Sequence, residues 1–160
     1  KHFLNLYAYT GAATVQAGLG GAASTTSVDL SKTYLAWLQR NLKLNQLNSP
    51  AHTLIQDDVM GWLKGCRRRY DLIFLDPPSF SSSKRMAGNL DIQRDHVALI
   101  KAAAARLSDN GLLIFSTNRK GLKLDPVLHE QFSIEERTVW SIPKDFQRPG
   151  WVHGCWFIRS

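Results

Sequence analysis

Three aspartates each follow a short segment with the composition of a β-strand. Asp29 and Asp76 come directly after residues 24–28 and 70–75, and Asp58 closes an acidic pair behind a third such segment. In an open parallel sheet, ligands bind beyond the carboxyl ends of the strands. Carboxylates accept hydrogen bonds through two oxygens, so the three aspartates are candidate ligand-binding residues.

A turn of Tyr9, Thr10 and Gly11 follows the first predicted strand and opens a helix. Backbone N–H groups at the start of a helix are suited to receive a carboxylate or a phosphate. Asp29 lies 18 positions beyond Gly11, a spacing typical of an acid that accepts hydrogen bonds from ribose hydroxyls. The alternative is that Asp29 caps the following helix, but Ser31 is available as that cap, which favours the ligand role.

Residues 76–80 combine an acid, two prolines and an aromatic side chain directly after an apolar segment. Pro77 and Pro78 fix the backbone there and hold Asp76 in one orientation. Two prolines suffice for a simple chain turn, but a turn requires neither the acid nor the aromatic residue. Phe80 is suited to stack on a base extruded from its helix. The sequence therefore predicts Asp76, Pro77, Pro78 and Phe80 as catalytic residues.

The segments around these residues alternate between strand and helix patterns. Strands are predicted over residues 3–7, 24–28, 52–56, 70–75 and 112–115. Helices are predicted after Gly11, from Ser31 to Asn45, over residues 59–64, and over residues 97–107 with an end at residues 109–111. Residues 134–139 and 153–158 predict two late strands that pair antiparallel at one edge, and residues 79–91 predict one long irregular loop.

This alternation predicts a Rossmann-like α/β fold. The expected architecture is a doubly wound, mostly parallel seven-stranded sheet with helices on both faces. The 160 residues, of which 44% are hydrophobic, are expected to form one domain spanning residues 1–160. Because Lys1 is not a start methionine and a strand pattern begins almost at once, the chain is expected to be a fragment that lacks an upstream segment.

The composition excludes several other classes of protein. No apolar run reaches the roughly 18 residues of a membrane helix, and no leader resembles a signal peptide, so no membrane partner is expected. Cys66 and Cys155 have no metal-ligand or CxxC spacing, so no metal site is predicted. Two thiols in a chain of this size favour a reducing compartment, which indicates a cytoplasmic location.

The charge of the chain favours a polyanionic partner. The formal net charge is +7 and the pI is about 9.7, so the surface field attracts nucleic acid. A basic surface that serves solubility alone is the competing interpretation, and charge by itself does not decide between the two.

Four stretches of the sequence together resemble a known family. They are FLNLYAYTGAATVQAGLGGAASTTSVDLSKTYL, QDDV, DPPSFSSSKRM and IQRDH. They resemble the class I ribosomal RNA methyltransferases, in particular the guanine-N7 half of the bacterial 23S rRNA methyltransferases K/L. The resemblance covers nearly the whole chain and implies S-adenosylmethionine as cofactor and 23S ribosomal RNA as partner.

The resemblance also implies roles for particular residues. The cofactor pocket is expected to be lined by Tyr9, Thr10, Gly11, Asp29, Asp58 and Asp76. Within it, Asp29 is expected on the ribose and Asp58 near the adenine amino group. The sequence departs from the common glycine-rich loop of the fold, which is reduced here to Gly11 alone. The family also has an upstream closing segment and a fused methyltransferase domain with an RNA-binding module.

Guanine N7 requires little acid–base chemistry. Its in-plane lone pair carries no proton, so it attacks a sulfonium methyl without a general base. Holding the two atoms in line about 3–3.5 Å apart can lower the barrier by roughly 7–11 kcal/mol. A carboxylate at Asp76 favours the positive charge that develops on the purine and accepts from the guanine edge.

Two other base methyltransferase reactions are weighed against N7. Enzymes that methylate adenine N6 or guanine N2 commonly carry an aromatic residue directly after the two prolines, whereas Ser79 separates Pro78 from Phe80 here. Methylation of cytosine C5 requires a nucleophilic cysteine. Cys66 and Cys155 are predicted to lie away from the strand ends, which disfavours C5 chemistry.

Two further alternatives come from other classes of protein. A catalytically silent RNA-binding domain remains open, because charge and fold alone do not require catalysis. A nicotinamide-dependent oxidoreductase is disfavoured, because residues 18–23 fit GxGxxA but precede a strand instead of following one.

The RNA-facing surface is predicted beside the candidate catalytic residues. Basic residues there would supply phosphate attraction next to an aromatic face. Solvated loop charges with no ligand are the competing interpretation. The predicted RNA-binding residues are Lys84, Arg85, Arg94, His96, Arg119 and Lys120.

Overall fold

The computed structural model describes residues 1–81, 89–146 and 152–160. Within these residues the strands are β1 (His2–Leu6), β2 (Ser24–Asp29), β3 (His52–Gln56), β4 (Tyr70–Leu75), β5 (Phe80–Ser81), β6 (Leu90–Asp91), β7 (Leu107–Thr117), β8 (Ser133–Glu136) and β9 (Gly154–Arg159). Seven of them form one sheet with the order β3-β2-β1-β4-β7-β9-β8.

The sheet is mostly parallel, as predicted. Strands β3, β2, β1, β4 and β7 run parallel, β9 is antiparallel to β7, and β8 is antiparallel to β9. The chain winds outward from β1 to β3 and then crosses back to place β4 on the other side of β1. The strand order therefore reverses between β1 and β4, which is where such sheets bind ligands.

The helices are α1 (Ala12–Leu19), α2 (Lys32–Leu44), α3 (Val59–Gly65), α4 (Ile92–Ala104) and α5 (Thr138–Ser141), with 3₁₀ turns at Pro126–Leu128 and Lys144–Phe146. Helix α2 begins at the predicted cap, where the Ser31 hydroxyl accepts a hydrogen bond from the Tyr34 amide at 3.3 Å. It buries Leu35, Leu38 and Leu42, one apolar stripe at helical spacing.

Two helix pairs cover the two faces of the sheet. Helices α1 and α2 pack on each other around a small apolar cluster, and α3 packs on α4 within the larger one. Alternation along β1 separates the two faces, because Leu4 and Leu6 belong to the larger cluster while Asn5 points to α1. The predicted helices on both faces are confirmed.

A buried polar chain fixes α1 over the central strands. The Asn5 amide donates to the Thr14 hydroxyl at 2.9 Å, and the Thr14 hydroxyl lies 2.7 Å from that of Ser27. All three side chains are buried. Because buried polar groups are costly unless paired, this chain specifies one placement of α1 and of the loop before it.

Two predicted boundaries are wrong. Helix α4 ends at Ala104, and Leu107 together with residues 109–111 belongs to β7. The register between β7 and β4 shifts at Tyr70, so the turn-like residues form an irregularity inside a long strand instead of a helix end. Val139, predicted in a late strand, lies in the short helix α5.

The segment predicted as one irregular loop over residues 79–91 has a short antiparallel ladder at its ends. Phe80 pairs with Asp91 and Ser81 pairs with Leu90, through β5 and β6. Lys84 and Arg85 lie between them, outside the described residues. In the described part of the chain, no helix combines the length and the apolar character needed to cross a bilayer.

Candidate active site

The loop after β1 has an unusual backbone. Tyr7, Tyr9 and Gly11 all adopt left-handed conformations, with φ of 59°, 50° and 81°. For a residue with a side chain this conformation costs of order 1–2 kcal/mol, and such strain clusters at functional sites. At Gly11 an added Cβ would lie 2.2 Å from Leu38 Cγ, so the close approach of α2 also requires glycine there.

Asp29 holds this loop in place. Its carboxylate accepts hydrogen bonds from the Tyr9 amide at 2.9 Å and from the Ser31 amide at 2.8 Å. The side chain is 9% exposed. Asp29 thus ties the loop after β1 to the start of α2, and it combines a structural role with its position in the cleft described below.

Asp58 lies at the start of α3. Its carboxylate accepts a hydrogen bond from the Gly61 amide at 2.9 Å, and the Asp58 amide donates to Asp57 at 2.8 Å. An acid at this position caps the helix and faces the positive end of its dipole. The cap fixes the Asp58 carboxylate beside the cleft.

Asp76 lies just beyond β4, where the two following prolines turn the chain. Burial raises the pKa of its carboxyl, while a hydrogen bond with Ser116 and the charge of His153 act in the opposite direction. Ser116 belongs to the neighbouring strand β7. The Asp76 carboxylate is therefore partly desolvated and held from the next strand.

These elements enclose a cleft of about 660 Å³. This volume lies within the roughly 300–1,000 Å³ of ligand-binding pockets. The cleft is lined by Tyr7, Tyr9, Asp29, Leu30, Ser31, Tyr34, Asp58, Val59, Asp76, Pro77, Pro78, Ser81 and Asn118. The structure thus brings together six of the residues selected from the sequence.

Two tyrosines form one wall of the cleft. The Tyr9 and Tyr34 rings pack edge to face with their centroids 4.4 Å apart, and they are 54% and 39% exposed. Their exposed apolar faces are available to a planar ligand. Sequence analysis missed Tyr34, although it lies one helical turn from the Ser31 cap and its amide bonds to that residue.

Tyr7 also lines the cleft, and its hydroxyl is buried. Among the described residues this hydroxyl has no hydrogen-bond partner. Burial raises the pKa of Tyr7, and the carboxylates of Asp58, Asp95 and Asp29 raise it further. The hydroxyl stays protonated near neutral pH and is a candidate donor to a ligand.

The family model described as conserved hypothetical protein 95 matches residues 1–132. The chain belongs to this family. Ribosomal RNA large subunit methyltransferase K/L from Hahella chejuensis is 53% identical over 159 residues, which is 99% of this chain and 22% of the relative. The protein of that name from Allochromatium vinosum is 53% identical over 161 residues, with the same coverage. The chain therefore spans about a fifth of the length of these curated relatives, and the resemblance predicted from its motifs is confirmed.

Comparison with solved structures also identifies methyltransferases as structural relatives of this chain. A protein described as a methyltransferase and crystallised with SAH matches with a TM-score of 0.83 and 30% identity, over 100% of this chain and 45% of that one. A SAM-dependent methyltransferase from Agrobacterium tumefaciens matches with a TM-score of 0.70 and 25% identity, over 98% and 54% of the two chains. The predicted methyltransferase fold is confirmed.

Three predicted site residues do not line the cleft. The Thr10 carbonyl accepts a hydrogen bond from the Asn41 amide group at 2.9 Å, and Gly11 packs against α2. Phe80 lies on β5 and is 61% exposed. Thr10 and Gly11 therefore shape the loop after β1, and Phe80 is presented to solvent beyond Pro78.

The predicted RNA-facing residues other than His96 separate into three groups. Arg119 and Lys120 are exposed directly after β7, next to the cleft residue Asn118. Arg94 is exposed but forms an ion pair with Asp95 at 2.7 Å. Lys84 and Arg85 are outside the described residues.

The prediction for His96 is wrong. Its side chain is 4% exposed, and its Nε2 accepts a hydrogen bond from the Asp125 amide at 3.1 Å. Its Nδ1 lies 3.0 Å from the Gln93 carbonyl, within the same helix. His96 therefore connects α4 to the segment after β7 from inside the core and does not face a partner.

Both cysteines were predicted to lie away from the strand ends, and for Cys155 this prediction is wrong. Cys155 lies opposite Ser116 in the pairing of β9 with β7, and Ser116 bonds to Asp76. Burial raises the pKa of the Cys155 thiol, a hydrogen bond with Ser141 lowers it, and the charge of Asp76 raises it again. The protonated form is favoured overall, so proximity does not make this cysteine a nucleophile.

Proposed function

We propose that this chain carries an S-adenosylmethionine-dependent methyltransferase site that modifies a base of large-subunit ribosomal RNA, at guanine N7. The observation that carries the proposal is the cleft between Asp29 and the Asp76-Pro77-Pro78 turn, at the point where the strand order reverses. It supports this function because the chain is 53% identical to methyltransferases K/L over nearly its full length.

The residues of the cleft fit the cofactor. Asp29, Asp58 and Asp76 supply carboxylates for ribose hydroxyls, an amino group and positive charge. Tyr9 and Tyr34 supply aromatic faces for a purine, and the Tyr7 hydroxyl is buried without a partner among the described residues. When bound, S-adenosylmethionine supplies an activated methyl group on a positively charged sulfur.

In this proposal Asp29 binds the ribose and Asp58 lies near the adenine amino group. Asp29 is already oriented by two backbone amides, so little ordering is needed when a ligand arrives. Asp58 is fixed in the same way by the start of α3. Fixed acceptors of this kind favour one position of the cofactor.

Asp76 and the two prolines act on the target base. The prolines hold the backbone, and Ser116 holds the Asp76 carboxylate from the adjacent strand. The carboxylate accepts from the guanine edge and stabilises the positive charge that moves onto the ring. Phe80, exposed beyond the turn, offers a stacking surface for the extruded base.

The RNA partner and the setting are part of the same proposal. Arg119 and Lys120 continue from the cleft residue Asn118, so they are placed to attract phosphates beside the target base. Lys84 and Arg85 are proposed for the same surface on the basis of sequence alone. A fused upstream domain with its own RNA contacts and a cytoplasmic location complete the proposal.

Methylation of ribosomal RNA tests the function directly. The full-length protein is incubated with labelled S-adenosylmethionine and 23S RNA from cells that lack its gene, and the product nucleoside is identified. We expect 7-methylguanosine, and Asp76→Asn to lower the rate about hundredfold. Asp109→Asn, an exposed aspartate in β7, is the matched control and should leave the rate unchanged.

Three outcomes contradict the proposal in different ways. Methyl on an exocyclic nitrogen of adenine or guanine would replace N7 by an amino-group reaction. RNA binding without cofactor binding would make the chain a silent RNA-binding domain. Cofactor binding with no methylated RNA would leave the cofactor site intact and exclude the RNA substrate.

Charge reversal tests the RNA-facing surface. Arg119→Glu with Lys120→Glu should weaken RNA binding and flatten its salt dependence, while cofactor affinity stays the same. Lys64→Glu with Arg67→Glu is the matched control, because both residues are exposed near the amino end of β4, at the opposite end of the sheet. Equal effects of the two double variants would indicate attraction by net charge without a specific surface.

A further inference from the structure

The antiparallel strand β9 brings one more side chain to the active-site end of the sheet. Thr117 at the end of β7 pairs with Gly154 at the start of β9, and Ser116 pairs with Cys155. Because β9 runs antiparallel to β7, its start lies at the carboxyl ends of the parallel strands. His153 directly precedes β9 and therefore lies at the same edge as Asp76.

The His153 ring is anchored to the helix before it. The Ser141 hydroxyl donates to the Thr138 carbonyl at 2.8 Å and lies 2.8 Å from His153 Nε2. The Ser141 hydroxyl and His153 Nε2 therefore lie within hydrogen-bond distance of each other. This hydrogen bond orients the ring.

A second contact holds the same helix to β9. The Cys155 amide donates to the Thr138 hydroxyl at 3.1 Å. Thr138 and Ser141, at the two ends of α5, thus both bond to the chain around the start of β9. Helix α5 therefore bonds both to the His153 ring and to the backbone two residues beyond it.

The electrostatics connect this ring with Asp76. Burial raises the pKa of the Asp76 carboxyl, a hydrogen bond with Ser116 lowers it, and the charge of His153 lowers it further. The titratable groups that face Asp76 from the described elements are His153 and the buried thiol of Cys155. His153 supplies the positive one of the two.

We propose that His153 is a positioning residue for methyl transfer, which keeps the Asp76 carboxylate ionised and oriented toward the target base. Ser141 anchors the imidazole, and Ser116 bonds to the Asp76 carboxylate from β7. This inference rests on the function proposed above. It assigns a role to a residue outside the cleft that no motif in the sequence indicated.

The decisive variant is His153→Gln. Glutamine keeps a side-chain amide that can bond to Ser141 but removes the ionisable ring, so it separates the electrostatic role from simple anchoring. His129→Gln makes the same change at an exposed histidine after the 3₁₀ turn Pro126–Leu128 and serves as the matched control. Ser141→Ala keeps the imidazole and removes only its anchor.

The first readout does not depend on activity. In the chain labelled with ¹³C at the aspartate carboxyl carbon, the Asp76 signal is assigned by its loss in Asp76→Asn and titrated by NMR. We expect the pKa of Asp76 to rise in His153→Gln, because a histidine is protonated at the pH where a carboxyl titrates and its charge favours the carboxylate. The pKa in His129→Gln should equal that of the unmodified chain.

The second readout is methyl transfer by the full-length protein. We expect His153→Gln to lower kcat about ten- to hundredfold, with unchanged cofactor affinity, and to move the acid side of the pH–rate profile to higher pH. In an Asp76→Asn background the same substitution should have no further effect, since it acts through Asp76. Ser141→Ala should also lower kcat, but it should move the acid side of the pH–rate profile less than His153→Gln does.

Each result bears on one of the two proposals. An unchanged Asp76 titration in His153→Gln, or equal losses in kcat with and without Asp76, would overturn the role of His153. If His153→Gln does not fold, an Asp76 titration in Ser141→Ala identical to that of the unmodified chain would overturn it instead. An unmodified protein that methylates no RNA refutes the proposed function, while the NMR titration still decides whether His153 acts on Asp76.

Discussion

Substitution of Asp29 by alanine separates two roles that the structure assigns to one carboxylate. The side chain accepts the Tyr9 amide at 2.9 Å and the Ser31 amide at 2.8 Å, and it lines the cleft. Alanine leaves both backbone donors without their acceptor and removes the proposed ribose contact. Stability and cofactor affinity are therefore both expected to fall.

The two contacts set the size of the stability loss. An unsatisfied buried donor costs about 1–3 kcal/mol. Water entering from the cleft compensates in part, so we expect a loss of about 2–4 kcal/mol for the two amides together. For a domain of this size, that corresponds to a Tm lower by about 4–16 °C.

The affinity loss follows from the proposed ribose contact. Hydrogen bonds to a charged acceptor contribute about 1.5–3 kcal/mol, which corresponds to a ten- to hundredfold weaker Kd. Titration calorimetry with S-adenosylmethionine measures it, and thermal melting monitored by circular dichroism measures the Tm. The calorimetric titrations are carried out below the melting range of the variant, so that the fraction folded does not change during them.

Asp125→Ala is the matched control for both measurements. Asp125 accepts one backbone amide, that of Val127 at 2.9 Å, and lies outside the cleft. It should lower the Tm slightly and leave the Kd unchanged. An unaltered Kd in Asp29→Ala would make Asp29 purely structural, and an unaltered Tm would show that the two amides gain nothing from it.

Three further predictions test other features of the fold. Gly11→Ala should lower the free energy of unfolding by about 2–5 kcal/mol in chemical denaturation, because Gly11 has a left-handed backbone and its added Cβ would clash with Leu38. Adding Leu38→Ala to this variant should remove the clash, so the double variant should lose less stability than the sum of the two single variants. His96→Ala should lower stability by about 2–4 kcal/mol and leave RNA affinity unchanged, and a selective loss of RNA binding would refute its assignment to the core. Cys66→Ser and Cys155→Ala should both retain methyl transfer, and trapping a covalent RNA adduct at either cysteine would refute the N7 mechanism.

The local patterns of the sequence determine the elements and their order. Strands β3 and β4 begin and end at the predicted residues, and α2 begins after its predicted cap Ser31, because apolar runs and cap residues act over short distances. Alternating strands and helices then require a parallel sheet, whose strands all end at one edge. This is why acids selected only as residues that follow strands, such as Asp29 and Asp76, meet in one cleft.

The tertiary structure alone decides which other residues join them. His96 was predicted to face RNA, yet it lies on the buried stripe of α4 with Ile92 and Ile100, and a segment 29 positions later returns to bond with it. Tyr34 reaches the cleft only because Asp29 ties the start of α2 to the loop after β1. The late antiparallel strand was predicted, but its register with β7, which pairs Thr117 with Gly154 and so places His153 at the same sheet edge as Asp76, is not encoded in a local pattern.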